Sequence, residues 1–488
     1  MNPYVILGII AFYFLILVVI AQYTSKAADT QSFFNANRGN KWYLVAFGMI
    51  GTSLSGVTFI SVPGQVGAQA FTYFQVVIGY VLGYCIIGLV LMPLYYKLNL
   101  VSIYGYLEQR FGFWSYKTGA AFFLISRSIG SAARFFLVVG VLQLAIFDAL
   151  GVPFALTSTI ALLLIWIYTY KGGIKTIVYT DTLQTFFMLA SVVISFYLIA
   201  TELDLSTFAL FDKIQESEAS TIFNWDWTSK TYFWKQFFAG ASIAVVMTGL
   251  DQDLMQKNLT CRNLQEAQKN MFWFTITLVI VNFLFLSLGA ALYFYAADKG
   301  ITIPAKADDL FPVLAIQHFS PIAGVVFILG IIAATYASTD SALTALTTSF
   351  CIDFLDINKH KEEATKEKIK TYTHLGFTFL MLVIVLLFKV FNTDALITTI
   401  FKLAGYTYGP LLGLFAFGMT TKRKIKDVAV PFIAIVSPVI SYVLAVNSAQ
   451  WFAGYQFGFE LLLINGLFTY IGLWAVSSKI NSKEAAMA

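Results

Sequence analysis

Two stretches of the chain put oxygen-bearing side chains where a long apolar helix would ordinarily carry none. The first, Gly48-Met-Ile-Gly-Thr-Ser-Leu-Ser-Gly56, holds three glycines and three hydroxyls. Each Gly costs about 1 kcal/mol relative to Ala in a helix interior, so the helix is weak here. Two readings stand: a close helix–helix contact through small residues, or an unwound stretch whose freed carbonyls coordinate an ion. The second stretch is Ala333-Ala-Thr-Tyr-Ala-Ser-Thr-Asp-Ser-Ala-Leu-Thr-Ala-Leu-Thr-Thr-Ser349. Its Ala334, Ser338 and Ser341 recur at helical spacing and share one face. Asp340 lies in the same run, and a carboxylate at that depth costs a few kcal/mol or more unless it faces protein or water. Hard cations prefer oxygen ligands, so hydroxyls beside a carboxylate and bare carbonyls suit Na⁺ far better than a transition metal. Serine–threonine packing between helices is the plainer alternative.

Charged groups in other apolar runs add to this chemistry. Arg127-Ser-Ile-Gly-Ser-Ala-Ala-Arg134 sets two arginines about two turns apart on one face, and Arg is suited to gripping a carboxylate with two prongs. A buried ion pair of Arg134 with Asp340 competes with that role. Asp181 is expected in the first turn of a helix over 179–201, where the dipole favours its ionised form; a capping carboxylate with no ion is the other reading.

The elements that must position these groups are membrane helices. The chain is 58% apolar and only 12% charged, against roughly a quarter charged in an average soluble domain. Runs such as Val5–Ile20 and Phe74–Met92 are free of charge, and lipid leaves such runs only the helix. Spans are expected near 4–22, 43–66, 72–95, 118–148, 153–170, 179–201, 236–255, 273–297, 321–352, 370–390, 394–418, 425–446 and 456–477. This is one all-α membrane domain over 1–488 with about 13 transmembrane helices. The first run lacks the basic start of a signal peptide and is expected to stay as a span. With the N-terminus outside and the C-terminus inside, inner loops hold 22 of the 31 Lys and Arg, outer loops and their margins six, and the spans three: Arg127, Arg134 and Lys402. That segregation follows the positive-inside rule. The acidic, partly aromatic loop 202–235 falls outside, a short outer helix is expected over Asp308–Ser320, and Asn358–Lys370 reads as a solvated inner linker.

Four motifs then agree with a known family. Gly172-Gly-Ile-Lys-Thr-Ile-Val-Tyr-Thr-Asp181-Thr-Leu-Gln184 resembles the signature of the sodium/solute symporter family. Phe59-Ile-Ser-Val-Pro-Gly64, Gly249-Leu-Asp-Gln-Asp-Leu-Met-Gln-Lys257 and Gly405-Tyr-Thr-Tyr-Gly-Pro-Leu-Leu-Gly-Leu414 agree in the family's order, covering roughly residues 30–420. The resemblance implies a five-plus-five inverted-repeat, LeuT-like core over 43–418, with peripheral helices 4–22, 425–446 and 456–477. Spans two and seven would be broken near the substrate. It implies a sodium site with carbonyl ligands at Gly51, Leu54 and Ala334 and hydroxyls at positions 337 and 338. Here position 337 is Ala, leaving Ser338, with Thr339 or Asp340 placed to compensate. A second sodium site found in some members matches Asp181, Ser338, Asp340 and Ser341.

The implied function is Na⁺-coupled symport of a small organic solute by alternating access, at the cell membrane, in a multi-pass protein whose surroundings are the lipid bilayer. Arg134 falls where carboxylate-carrying members, such as sialic acid symporters, place a substrate-binding Arg. The expected solute is therefore an anion such as sialic acid, or an amino acid; a neutral sugar or polyol is the alternative. Ser53, Ser55 and Thr58 flank the break, and Gln75 is within reach of the substrate. Sugar carriers tend to have acidic or amide groups near the break, whereas this chain has Val57 and Thr58. An enzyme is not expected: His318, His360 and His374 lack metal-ligand spacing, and there is no nucleophile elbow or nucleotide-binding loop. A channel or solute sensor on the same fold remains a rival. Nothing points to nucleic acid or to an obligate protein partner, and Cys85, Cys261 and Cys351 are too few and scattered for a disulfide framework.

Overall fold

The Gly48–Gly56 run ends one helix and begins another. Helix Trp42–Ser53 stops at Leu54 (φ −92°, ψ 76°), Ser55 is extended, and helix Gly56–Gln69 follows. The computed structural model describes residues 3–26, 29–391, 404–452, 454–455 and 457–479. Its principal helices begin with α1 (Pro3–Thr24), α2 (Trp42–Ser53), α3 (Gly56–Gln69), α4 (Phe74–Ile86) and α5 (Phe113–Leu142). Next come α6 (Phe154–Thr169), α7 (Gly173–Glu202), α8 (Phe233–Ala244), α9 (Gln252–Asn258) and α10 (Leu264–Asp298). Last are α11 (Pro321–Asp353), α12 (Glu363–Phe391), α13 (Gly409–Thr420), α14 (Val430–Trp451) and α15 (Leu461–Ala475).

Among the described residues, eight helices are long and apolar enough to cross a bilayer, or nine if one bent pair counts as a span. Trp42–Ser53, Phe154–Thr169 and Leu461–Ala475 are shorter apolar helices, and Gly56–Lys97 is counted as one where the sequence reading has the end of one span and the next. The span expected at 394–418 is described only from residue 404, so Lys402 lies outside the described residues.

The bent pair is the second break. The segment Phe233–Gly249 meets α9 at 70°. Asp251 is extended there and its carboxylate accepts the Asp253 N–H at 2.9 Å, capping α9. Tyr95 and Tyr104 donate their hydroxyls to the carbonyls of Gly249 (2.9 Å) and Leu250 (3.0 Å) at the break, so the backbone stays hydrogen-bonded, as burial demands.

α11 is the mast of the bundle. It runs unbroken, and every residue from Ala333 to Ser349 is buried, because small side chains let neighbours approach on all sides. α7 packs along it, and α2 packs along α7.

Three expectations about elements change. α7 starts at Gly173, not 179, so Asp181 lies in its third turn and the helix-dipole argument for it lapses, the effect being confined to the first turn. The signature glycines divide: Gly172 closes the short turn after α6, while Gly173 takes a left-handed φ of 49°, with Phe33 packed where a Cβ would go, and opens the helix. The expected inner linker is partly helix, since α12 begins at Glu363. Its Lys370 is buried, paired with Glu367 at 2.8 Å and lying over the Phe33 ring. His374 of the same helix is fully buried between the hydroxyls of Thr169 and Thr347, each at 2.9 Å.

Candidate functional site

A polar seam forms where α2, α7 and α11 meet. Residue 51 is Gly because nothing larger fits: a Cβ there would stand 2.5 Å from the Thr185 hydroxyl and 3.4 Å from the Ala337 Cβ. Its amide donates to that Thr185 hydroxyl at 3.0 Å. The next hydroxyl, Thr52, lies 3.1 Å from the Asp181 carboxylate and 3.2 Å from the Ala337 carbonyl. A Cβ on Gly48 would meet the Asp181 Cβ at 3.1 Å, so Asp181 is pressed directly against α2. Leu54 closes α2 at the break, and Ala334 is buried on α11. Ser338 donates to the Thr335 carbonyl at 3.0 Å, which leaves its oxygen lone pairs open.

Some buried oxygens of the seam lack partners. Asp181 Oδ1 and Thr339 Oγ1 have none, and the Gln184 amide lies beside the Tyr13 and Tyr168 hydroxyls. Buried polar atoms in native proteins are nearly always paired. Carboxylate, hydroxyl and carbonyl oxygens left open together form a donor set that fits a hard monovalent cation.

Other predicted ligands are drawn elsewhere. Asp340 accepts from the Tyr168 hydroxyl at 2.7 Å and from the Ser341 amide; among the described residues it makes no ion pair with Arg134. Ser341 turns its hydroxyl to Asp253 of α9 and not to Asp181. Lys257, counted above among inner-loop residues, is 1% exposed. Its ammonium pairs with Asp181 Oδ2 and hydrogen-bonds the Thr52 hydroxyl.

Above the seam the breaks in α2–α3 and α8–α9 frame a cavity of about 90 Å³. Ser53, Ser55, Thr58 and Arg134 line it, as the sequence reading expects, together with Tyr84 and Asn282. The Asn282 side-chain oxygen is buried without a partner. The two arginines differ in state. Arg127 is paired with Asp253 and lies 3.8 Å from Asp251, while Arg134 makes no ion pair or hydrogen bond among the described residues. No Asp or Glu lines the cavity itself; the carboxylates of Asp251 and Asp253 stand behind its two arginines, and Asp251 acts on both.

Gln75 is not at this cavity. It is fully buried, donates to the carbonyls of Thr72 (3.1 Å) and Thr231 (2.9 Å), and accepts from the Asn224 amide at 3.2 Å. It anchors the 202–235 loop, which a polar residue in an apolar run can do as readily as bind solute. Tyr73 lines both the cavity and a larger vestibule of about 650 Å³ that also includes Lys230, Gln236, Tyr406 and Tyr442. Tyr408, given no role from sequence, donates to Asp251.

Sequence reasoning missed Lys257, Asp251, Asp253, Tyr168 and Asn282. The signal for the first three was the charged run after Gly249, which closes the span expected over 236–255 and leaves Lys257 in the inner loop, although Asp251 and every residue of α9 are buried.

The sodium:solute symporter family pattern matches residues 33–430. The chain belongs to this family. As a sodium:solute symporter it is a multi-pass, Na⁺-coupled membrane transporter and not an enzyme. It is 24% identical over 491 residues to a sodium/sialic acid symporter of Aliivibrio fischeri, covering 96% of this chain and 92% of the relative. It is 25% identical over 462 residues to a sodium/sialic acid symporter of Proteus mirabilis, covering 89% and 88%. A sodium/glucose cotransporter of Vibrio parahaemolyticus is 23% identical over 390 residues, covering 71% and 67%. The fold matches the substrate-bound, outward-open structure of a Na⁺-coupled sialic acid symporter with a TM-score of 0.81 at 20% identity, covering 98% of this symporter and 99% of that chain. A nucleobase-cation-symport-1 family transporter matches at 0.57 and 14% identity, covering 91% and 93%. The symporter thus has the LeuT-like fold expected of it.

Proposed function

We propose that this symporter accumulates a small carboxylate-bearing solute by coupling it to Na⁺ entry across the cell membrane, with Arg134 as the carboxylate grip. One observation carries the reading: Arg134 makes no ion pair or hydrogen bond among the described residues and stands in a cavity framed by two broken helices and lined by no acidic group. Arg127 is held by Asp253, which leaves Arg134 the freer guanidinium to meet a carboxylate. Ser53, Ser55, Thr58 and Asn282 supply hydrogen bonds for the rest of the solute. Na⁺ binds in the seam through the carbonyls of Gly51, Leu54 and Ala334 and the hydroxyl of Ser338, with Asp181, Asp340 and Ser341 around a second position. Because Thr52 touches Asp181 in the seam and also lines the cavity beside Ser53 and Ser55, filling the seam orders the solute's contacts. Two relatives named for sialic acid support an acidic sugar as the solute; the relative named for glucose makes a neutral hexose the competing outcome. The thirteen-span arrangement with its N-terminus outside, five-plus-five core and peripheral helices completes the proposal.

The test is uptake into proteoliposomes of labelled N-acetylneuraminate, lactate, proline and glucose, each under inward Na⁺ or K⁺. Accumulation of an acid with Na⁺ alone is expected, abolished by Asp181→Asn. Arg134→Lys should weaken that acid by about ten- to a hundredfold, since hydrogen bonds to charged groups contribute about 1.5–3 kcal/mol. Glucose accumulation, or uptake indifferent to Na⁺, would refute the proposal.

A further inference from the structure

Lys257 reaches the cation seam from an element that belongs to neither wall. It lies on α9, the half-helix set at 70° beyond the second break. Its ammonium contacts Asp181 Oδ2 and Thr52 Oγ1, and Thr52 in turn lies 3.2 Å from the Ala337 carbonyl. A carboxylate, a hydroxyl and a carbonyl are the groups a sodium ion would seek here, and a tethered cation already holds them.

Resting on the transport reading above, we propose that Lys257 is a built-in substitute for Na⁺, occupying the Asp181 position when the ion is absent and yielding it when the ion arrives. Three features support exchange rather than permanent pairing. Like charges at one carboxylate oxygen repel strongly in a water-poor interior, so Na⁺ on Asp181 Oδ2 and Thr52 requires Lys257 to withdraw. Asp340, a second acidic group, lies close enough to act on Asp181 and Lys257, so the pocket offers a cation more oxygens than the lysine engages. Asp181 Oδ1 also keeps no partner, as if half the carboxylate were held for a visitor.

The exchange has a mechanical consequence. Lys257 is joined through α9 to Asp253, which holds Arg127 and Ser341, and to Asp251, which holds Tyr408. Expelling the ammonium therefore pulls on the half-helix that borders the solute cavity. When Na⁺ leaves toward the inner side, Lys257 re-enters and neutralises Asp181, so the empty carrier never has to reorient with a bare buried carboxylate.

The experiment uses the full-length protein with NaCl or KCl at constant ionic strength, reading thermal stabilisation in detergent against ion concentration and solute flux in proteoliposomes. If Lys257 fills the position in nine of ten ion-free molecules, Lys257→Met should lower the half-saturating Na⁺ by about tenfold. Net uptake should slow at least tenfold, while solute exchange with Na⁺ on both sides is retained, because only the return of the empty carrier needs the lysine. Lys257→Arg keeps the tethered charge and should stay within about threefold of wild type in Na⁺ affinity. An unchanged or weaker Na⁺ affinity in Lys257→Met would overturn the proposal. So would a Lys257→Met protein that stays unfolded in Na⁺ as well as in K⁺, since a free cation should replace the missing one. If wild type itself shows no Na⁺-specific response, the transport reading fails; if wild type responds and the variant does not shift, only the substitution by lysine fails.

Discussion

Replacing Asp253 by Asn removes the negative charge that faces Arg127 in the bundle interior. Both groups are buried, Arg127 at 3% exposure and Asp253 at 0%. Breaking a buried pair by removing one partner costs about 3–5 kcal/mol, because the survivor keeps its desolvation without its attraction. Asp253→Asn should fall at the low end, about 3 kcal/mol, since Arg127 still has Asp251 at 3.8 Å. Arg127→Met should approach about 5 kcal/mol, because it leaves two buried carboxylates without their cation. The double variant removes one charge of each sign and keeps the Tyr408 bond to Asp251. Its cost should therefore lie about 2–3 kcal/mol below the sum of the singles, at the top of the range for contacting residues. The assay is the fraction of detergent-solubilised protein that remains monodisperse after heating, compared across the four proteins. The double variant should survive heating about as well as Arg127→Met alone, although it carries both substitutions. A strictly additive loss would refute the argument that Asp253 holds Arg127, and with it the reading that Arg134 is the freer of the two guanidiniums.

Other expectations follow from single contacts. Ser338→Ala removes an open hydroxyl oxygen and should raise the Na⁺ needed for half-maximal uptake about three- to tenfold, the equivalent of one net hydrogen bond; unchanged Na⁺ dependence would remove Ser338 from the ligand set. Gln75→Leu should leave solute affinity unaltered and make the 202–235 loop more sensitive to limited proteolysis, since Gln75 holds Asn224 and Thr231. Asp29, outside the spans, has its carboxyl held below its ordinary 3.8 chiefly by the Ser32 amide it caps. A depressed folded pKa means its stabilisation is present at neutral pH and is lost as pH falls from about 4 through the folded value. Amide protection factors over residues 29–38, corrected for the intrinsic pH dependence of exchange, should accordingly fall in acid for wild type and vary less in Asp29→Ala.

What could be read in advance, and what could not, divides by the range of the interaction. The Gly48–Gly56 break was legible because glycine and serine weaken a helix locally, and the chain does part at Leu54. Asp181 was placed one helix start too late because two adjacent glycines look like a loop, whereas Gly172 closes the turn and Gly173 already opens the helix. The two arginines of α5 share a face by spacing alone, yet which one is freer depends on Asp253, a residue 126 positions away. Lys257 was hidden for the same reason: a seven-residue half-helix rich in charge has the composition of a loop, and only the 70° turn that buries it reveals its partner. Gln75 shows the converse, a polar residue in an apolar run that holds a loop instead of meeting solute.

The tyrosines that close the second break bear on the energy of the cycle. Tyr95, Tyr104 and Tyr408 bolt the ends of the bent pair through three phenol hydroxyls, each bond a net contribution of about 0.5–1.5 kcal/mol. One elementary charge crossing a 100 mV potential releases about 2.3 kcal/mol. Two or three such bolts thus form a latch of the same size as the electrical drive of a single ion: firm enough to keep the elbow shut at rest, and weak enough for one passing charge to spring it.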